Sequence, residues 1–338
     1  MGGPALNLDA EWADLEQSPR SDTGHLRARV PIGAPVHLYL AIAEPSGCRV
    51  LALAFDDDVD VSPIRTIRLR GLDVSASPFV LEGQGSTIAL ATRSTAYNGL
   101  FARLVDDLVG TIDGVESKSA VIEALGGRLE TWQRFLEEVD PGGLSVEAQT
   151  GLFGELWFLR DHLLKVLGPS AVTAWQGPLR AIQDFQAQDW AIEVKTTRQA
   201  APAAIRIANE RQLQGDGLAT LALVLIALEQ RADGSPTLVD MVASVRAAVI
   251  PGSPVSAELE DRLLSAGYLD EQADLYRGNA FALRWTLCSL VAEGFPRITE
   301  HDLPAGIGDV SYSIAVDSCR EYEIGLPLLW QRIAAGAS

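Results

Sequence analysis

The sequence predicts an α/β (α+β) fold in which a mixed sheet is flanked by helices. Short segments rich in β-branched and aliphatic residues alternate with longer segments whose apolar residues recur every three or four positions. Apolar residues make up 47% of the 338-residue chain, which is enough to fill a sizeable core. The Pro141-Gly142-Gly143 run breaks this pattern and predicts a domain boundary.

Three domains are predicted: an N-terminal β-rich domain with following helices over 1–143, an α/β core over 144–235, and a C-terminal α+β extension packed on the core over 236–338. The first domain opens with a lead-in to about residue 34, which we expect to be loosely packed around a short helix near 8–15. Strands of an antiparallel sheet are predicted at 36–42, 49–55, 64–69 and 86–91. Helical spacing predicts helices at 97–112 and 117–139, the second of which Gly126-Gly127 could interrupt.

The core is predicted to begin with a helix near Ser145 that runs to about Leu167, where Gly168-Pro169 ends it. Short apolar segments then predict strands around 172–175, 181–185, 190–195, 204–207 and 218–228. In the extension, helices are predicted at 237–249 and 256–266, and strands at 280–291 and 310–316.

Composition excludes several classes of protein. No apolar run reaches the roughly eighteen residues that span a bilayer, and we expect no secretory signal and no membrane partner. Three scattered cysteines fit reduced thiols in a cytoplasm, and the four histidines show no metal-ligand spacing. Neither a G-x-x-x-x-G-K-[ST] loop nor a G-x-S-x-G elbow is present, so NTP hydrolysis and serine-nucleophile chemistry are not expected.

The formal net charge of −18 argues against a protein that binds nucleic acid unaided, because phosphate neutralisation supplies much of that affinity. The acidity is uneven, however. Between Gly151 and Arg211 the chain carries seven basic and six acidic side chains, so the excess of negative charge lies outside this segment. It could repel non-specific DNA or face a basic partner.

The candidate chemistry lies in that segment, at Asp184 and at Glu193-Val194-Lys195. Glu193 and Lys195 are two apart on a predicted strand and therefore project to the same face. A turn around Gln188-Asp189 would pair this strand with the preceding one and bring Asp184 beside Glu193. Two carboxylates and the main-chain carbonyl of Val194 make a hard oxygen site suited to Mg²⁺ or Mn²⁺. The lysine could orient an attacking water or offset charge on a phosphate.

Alone, an E-x-K tripeptide is a weak signal that chance supplies in a chain of this length. An upstream acid at hairpin distance, an apolar strand and a preceding helix that bears Glu155 strengthen it. Two plainer interpretations stay open. Asp184, Glu193 and Lys195 could form a surface ion-pair cluster, and Glu155 could be a solvated or capping residue of an amphipathic helix.

At these residues the chain resembles the PD-(D/E)xK phosphodiesterase superfamily, which has the restriction-endonuclease-like fold. More closely, it is similar to a bacterial family of PD-(D/E)xK proteins formerly described only as a domain of unknown function. The resemblance rests on Gly151-Leu-Phe-Gly-Glu-Leu-Trp-Phe-Leu159, Trp175-Gln-Gly-Pro178, Asp184-Phe185, Ile192-Glu-Val-Lys-Thr-Thr197, Phe295-Pro-Arg-Ile298 and Val310-Ser-Tyr312. It covers most of the chain. Gln183 stands where the classical motif has proline, a position that the superfamily often varies.

Carried over by position, the resemblance implies that Asp184 and Glu193 are metal ligands and that Lys195 is the catalytic lysine. Glu155 matches the helix acid that many superfamily members place near the metal, directly or through water. The resemblance also makes 144–235 a nuclease core.

Three further residues are candidates of a weaker kind. Gln212 matches a polar residue on the helix after the core strands, although a structural hydrogen bond is the plainer interpretation. Arg198 and Arg206 could contact phosphates.

The function that the resemblance implies is Mg²⁺-dependent hydrolysis of DNA phosphodiester bonds in restriction or phage defence, with DNA and other defence proteins as partners. A different class of function stays open. The core could be a catalytically silent or partner-dependent module that binds nucleic acid or assembles a larger complex, and the strong acidity favours this. A third possibility is an acidic protein that binds another protein and never contacts DNA.

Overall fold

The computed structural model describes residues 8–17, 24–75, 85–138, 142–187 and 189–336. The chain forms two compact units, Met1–Gly142 and Gly143–Ser338. Pro141 of the predicted boundary and Gln188 of the predicted turn lie outside the described residues. The predicted core and extension belong to the same unit, and their division at residue 235 stays a prediction.

The first unit is built on an antiparallel sheet, as the short apolar segments predict. Its strands are β1 (Gly24–Val30), β2 (His37–Glu44), β3 (Cys48–Ala54), β4 (Leu72–Ser75) and β5 (Thr87–Thr92), in the order β1-β2-β3-β5-β4. Its helices are α1 (Leu8–Gln17), α2 (Ser62–Arg65), α3 (Asn98–Ile112) and α4 (Lys118–Glu138). The centre of the sheet is apolar: Leu40 and Leu51, which pair across β2 and β3, are fully buried.

Three features of this unit differ from the prediction. The lead-in contains β1, which pairs with β2 along its length. The strand predicted at 64–69 is wrong, because Pro63 presets the first turn of helix α2 and Ile64 is buried from that helix. Helix α4 runs through Gly126-Gly127, since its buried residues keep helical spacing on both sides of the pair.

The second unit contains the mixed sheet. Its strands are β6 (Phe185–Gln186), β7 (Trp190–Thr197), β9 (Thr220–Arg231) and β10 (Ala280–Leu290), in the order β10-β9-β7-β6. Strands β7 and β9 are parallel and the other pairs are antiparallel. Strand β8 (Ala204–Ile207) pairs with β11 (Tyr312–Ala315) in a separate two-stranded sheet. The predicted fold class is confirmed, and β10 of the predicted extension is a strand of the central sheet.

Helices flank this sheet. They are α5 (Val146–Phe158), α6 (Leu164–Leu167), α7 (Ser170–Ala174), α8 (Leu238–Ala248), α9 (Pro254–Ser265), α10 (Ala273–Tyr276), α11 (Val316–Arg320) and α12 (Leu326–Gly336). A π-helical turn, Leu159–Leu163, joins α5 to α6, so the predicted helix from Ser145 to Leu167 is continuous. No helix within the described ranges combines the length and apolarity needed to cross a membrane.

Two predicted strands of this unit are wrong or shorter than expected. Residues 172–175 lie mainly in helix α7, because Pro169 precedes a run of small residues that completes one helical turn. Only Phe185 of the predicted strand 181–185 lies in a strand, because the chain before it turns at Gly177–Leu179 and Arg180. Both segments are short apolar runs, and the spacing of apolar residues in so short a run does not distinguish a helix from a strand.

The sheet fixes β7 rigidly. Strand β9 is buried from Thr220 to Leu228, and β7 is buried from Trp190 to Val194. Nine consecutive buried residues on β9 identify a strand covered on both faces. The carboxyl end of β7 therefore projects from a well-packed core, and it carries the candidate residues.

Candidate functional site

The antiparallel pairing of β6 with β7 brings the two predicted metal-binding acids together. Phe185 is paired with Ile192, so Asp184 immediately before β6 lies beside Glu193. The Asp184 Oδ2 atom accepts a hydrogen bond of 2.7 Å from the main-chain N–H of Val194. This contact fixes the Asp184 carboxylate at the centre of the E-x-K tripeptide.

Lys195 contacts two acceptors. Its Nζ lies 2.6 Å from Oε1 of Glu193 and donates a hydrogen bond of 3.1 Å to Oε1 of Gln212. The Glu193 side chain is 1% exposed and the Lys195 side chain is 20% exposed. The Lys195 side chain is therefore partly exposed, while the Glu193 side chain is buried.

Glu155 reaches the same place from helix α5. Its Oε2 accepts a hydrogen bond of 2.8 Å from Nε1 of Trp175. Gly177 shows that the Glu155 and Asp184 carboxylates border one small space. A Cβ atom at that glycine would lie 2.9 Å from Oδ1 of Asp184 and 3.0 Å from Oε2 of Glu155.

A second glycine brings α5 close enough for this convergence. A Cβ atom at Gly154 would lie 2.1 Å from Oγ1 of Thr196, so the helix and β7 pack with almost no space between them. Glu155 follows Gly154 in sequence, and Lys195 precedes Thr196. Close packing at Gly154 therefore places Glu155 near β7, the strand that carries Glu193.

Burial and mutual repulsion shift the acids away from their charged forms. Burial, and secondarily the nearby Asp184, raise the pKa of Glu155 to about 8. Burial raises the pKa of Asp184 to about 6, against the hydrogen bond from Val194. Burial, followed by repulsion from Asp184, holds the pKa of Glu193 well above its usual range. Three acids share one lysine, so ionisation of all three would leave the site with an excess of negative charge.

These residues fit a hard divalent cation. Within the described ranges, no three His, Cys, Asp or Glu side chains are already gathered at metal-ligand spacing. The donor chemistry nevertheless fits, because the acids lie together with too little positive charge. In particular, the Glu193 Oε2 atom is buried and accepts no hydrogen bond from the described residues. An unsatisfied buried carboxylate oxygen is costly unless something compensates it.

Gln212 forms hydrogen bonds, as the plainer interpretation expects, and one of them is to the candidate lysine. It lies in the 3-10 helix Glu210–Leu213, where its Oε1 accepts hydrogen bonds from Lys195 and from the main-chain N–H of Ala208. Its side chain is thus held from both sides. The role that the resemblance suggested for it stays a prediction, and the structure supplies the contact through which it would act.

The two candidate arginines are exposed and bonded elsewhere. Arg198 donates to Oε1 of Gln230 and to Oε1 of Glu147, each at 2.6 Å. Arg206, on β8, donates to Oγ of Ser311 at 3.3 Å. Neither arrangement tests contact with a phosphate, and that assignment stays a prediction.

The residues that sequence reasoning missed are Trp175, Gly177 and Gln183. Trp175 is fully buried, and its indole donates to Glu155. The only available signal was its place in the Trp-Gln-Gly-Pro element that contributes to the resemblance. Gln183 was noted solely as the residue that replaces proline.

The model of the family described as "Putative PD-(D/E)XK family member (DUF4420)" matches residues 8–317. No curated protein and no solved structure gives a significant match to the chain.

Proposed function

Because the chain belongs to this PD-(D/E)XK family, whose fold is restriction-endonuclease-like, we propose that it is a metal-dependent endonuclease that hydrolyses DNA phosphodiester bonds. Family membership by itself suggests a nuclease. One observation carries the more specific proposal: Asp184, Glu193 and Glu155 converge from three separate segments around the single ammonium group of Lys195.

In this proposal Asp184 and Glu193 bind Mg²⁺ or Mn²⁺ together with the main-chain carbonyl of Val194, and Glu155 binds it directly or through water. Such a cation, when bound, supplies Lewis-acid polarisation of the phosphate and acidifies a coordinated water. Trp175 orients Glu155 by donating to its Oε2, the oxygen that borders the space shared with Asp184. Among the described residues, Lys195 is the cation whose charge lowers the pKa of all three acids.

Lys195 positions the nucleophile. Its ammonium group is held by Gln212 and is partly exposed, so it can donate to a water or to a phosphate oxygen that enters from solvent. Its contacts with Glu193 and Gln212 direct the ammonium group toward the site. The lysine thus offsets negative charge that develops at the phosphate.

The biological setting is part of the proposal. The resemblance favours a role in restriction or phage defence, where foreign DNA is the substrate. The net charge of −18 disfavours tight unaided binding to DNA, so a basic partner protein would bring the site to its substrate. Arg198 and Arg206 would then add phosphate contacts at the exposed end of β7 and on β8.

A second candidate is a partner-dependent or catalytically silent module that binds nucleic acid or assembles a complex. The same acidity favours it, because little of the surface charge would attract a phosphate backbone. This candidate predicts metal binding without cleavage by the isolated chain.

The experiment that tests the proposal incubates the purified chain with plasmid and phage DNA in Mg²⁺ or Mn²⁺. Asp184→Asn and Lys195→Met should each reduce the cleavage rate at least about 100-fold. Asp189→Asn and Lys165→Met are matched controls, because they remove an acid and a lysine that lie outside the site.

Calorimetric titration with Mn²⁺ separates the two candidates. Metal binding that Asp184→Asn weakens, together with cleavage, supports the endonuclease. Metal binding without cleavage of any substrate favours the partner-dependent module. No metal binding by the wild-type chain, or cleavage that survives both site variants, contradicts the assignment of the site.

A further inference from the structure

We infer that Gln183 is a positioning residue of this site, and that its buried amide ties the segment of Asp184 to the short helix that holds Lys195. The inference rests on the proposed function and adds a residue to it. Gln183 is 5% exposed, although it precedes a candidate catalytic acid and lies in an irregular segment. A buried amide in such a place needs hydrogen-bond partners.

The partners lie on the 3-10 helix Glu210–Leu213. The Nε2 group of Gln183 donates to the main-chain oxygens of Arg211 at 3.3 Å and of Gln212 at 3.1 Å. The Arg211 oxygen also accepts from the main-chain N–H of Gln214, whereas the Gln212 oxygen lies near the end of the helix, where carbonyls lack intrahelical donors and need a donor from outside. Gln183 therefore stabilises this helix while it fixes the chain next to Asp184.

Together with two other hydrogen bonds, these contacts form a closed circuit that joins Asp184 to Lys195. The side chain of Gln212 accepts from Lys195, while the main chain of the same residue accepts from Gln183. Asp184, adjacent to Gln183, accepts from the N–H of Val194, adjacent to Lys195. Each of the two catalytic candidates is thus connected to the other by two independent routes, one through β7 and one through Gln183 and Gln212.

The circuit sets the position of the Lys195 ammonium group relative to the Asp184 carboxylate. Lys195 has a flexible four-carbon side chain, and its second acceptor, Glu193, is also a candidate ligand. When Glu193 binds the metal, Gln212 is the contact that keeps the ammonium group in place. The proline of the classical motif has no side-chain donor and could not make this tie.

The experiment uses the accessibility of Lys195. The chain contains three lysines, Lys118, Lys165 and Lys195, so acetylation of each by acetic anhydride can be followed by peptide mass spectrometry. Lys165, which is 66% exposed, provides the reference rate within each sample. In Gln183→Leu, we expect Lys195 acetylation relative to Lys165 to rise at least about fivefold, because the ammonium loses its fixed acceptor.

Gln149→Leu is the matched control. Gln149 is also a buried glutamine whose Nε2 donates to a main-chain oxygen, that of Leu144, and its loss destabilises the same unit without touching Gln212. An unchanged Lys195 ratio in Gln183→Leu overturns the inference, and so does an equal rise in both variants. If Gln183→Leu does not fold, Gln183→Asn replaces it in the experiment. Its amide is one methylene shorter and lies farther from the carbonyls of Arg211 and Gln212, and the same outcomes support or overturn the inference.

These results are independent of the proposed reaction. Wild-type protein that neither binds Mn²⁺ nor cleaves DNA contradicts the proposed function, while the acetylation ratio still decides the role of Gln183. In a protein that cleaves, Gln183→Leu should lower kcat at least about tenfold with little change in KM, because it moves the lysine and leaves substrate contacts intact. A rise in KM with unchanged kcat would contradict positioning.

Discussion

The ammonium group of Lys195 lies 2.6 Å from the carboxylate of Glu193, two residues earlier on the same strand, and is the one cation that faces three converging acids among the described side chains. One positive charge cannot neutralise Asp184, Glu193 and Glu155 together. Burial raises the pKa of all three acids, and repulsion from Asp184 raises those of Glu155 and Glu193 further. Among the described residues, one oxygen of Glu193 has no hydrogen-bond donor. In the absence of metal, the site therefore costs stability, which several measurements can detect.

The Glu193→Gln variant should be more stable than the wild type in metal-free buffer at neutral pH. The substitution removes a buried carboxyl group whose ionisation is disfavoured, and it keeps an oxygen that can accept from Lys195. We expect the Tm to rise by roughly 2–5 °C while Mn²⁺ binding is lost. Glu147→Gln, at an exposed acid, is the control and should change neither quantity much. A lower Tm for Glu193→Gln would show that the charge is already compensated.

The stability of the metal-free protein should fall as the pH rises from about 5 to about 8. The pKa of Asp184 is raised to about 6 and that of Glu155 to about 8, so the folded state holds protons that the unfolded chain releases at lower pH. Raising the pH then favours the unfolded chain until both acids are ionised. We expect the Tm to fall by roughly 5–10 °C across this range.

Saturating Mn²⁺ should reduce this pH dependence, because a cation favours the ionised acids. The double variant Asp184→Asn/Glu155→Gln should also flatten it in metal-free buffer. Differential scanning calorimetry of the wild type, with and without metal, checks both expectations. An equally steep fall in the double variant would assign the effect to other groups.

The Gly177→Ala variant should lose metal affinity while keeping its fold. Its Cβ would lie 2.9 Å from Asp184 and 3.0 Å from Glu155, in the space between the two carboxylates. We expect the Kd for Mn²⁺ to rise at least about tenfold, with a Tm loss no larger than a few degrees. Gly217→Ala is not a suitable control because its φ is +78°, whereas Gly278→Ala, with open space around the Cβ, is suitable. Unchanged affinity in Gly177→Ala would place the metal elsewhere.

Gly154→Ala and Gly151→Ala should change stability in opposite directions, although both lie in α5. A Cβ at Gly154 would lie 2.1 Å from Thr196 Oγ1, so the helix must move away from β7, at a cost of about 1–3 kcal/mol. A Cβ at Gly151 meets nothing within 4 Å, and replacing a helical glycine stabilises by up to about 1 kcal/mol. Urea unfolding of both variants measures the difference. Equal effects would contradict the close packing that places Glu155.

Several elements of the fold were predictable because their signals are local. Ser145 caps the start of the helix that bears Glu155, and Gly168-Pro169 follows its last turn, so both ends could be predicted. Strand β8 was predicted with the bounds that the structure has. The strands predicted at 64–69 and 172–175 are wrong. A few apolar residues fit the spacing of a helix as well as that of a strand, and in both segments a neighbouring proline favours the helix.

Pairings between strands that are distant in sequence were harder to predict. Strand β10 was predicted as a strand, but nothing in its own residues indicates that it pairs with β9 in the central sheet. The extent of β1 was missed within a polar lead-in, because its pairing with β2 supplies the order that its composition does not.

The sequence by itself determined the side on which Glu193 and Lys195 project, because residues two apart on a strand share a face whatever surrounds them. It also indicated Asp184 as their neighbour through the spacing of a hairpin. Only the tertiary structure decided that Glu155, Trp175 and Gln183 join them. Their contacts depend on how α5 and the 3-10 helix pack against β7, and packing between distant segments leaves no periodicity in the sequence.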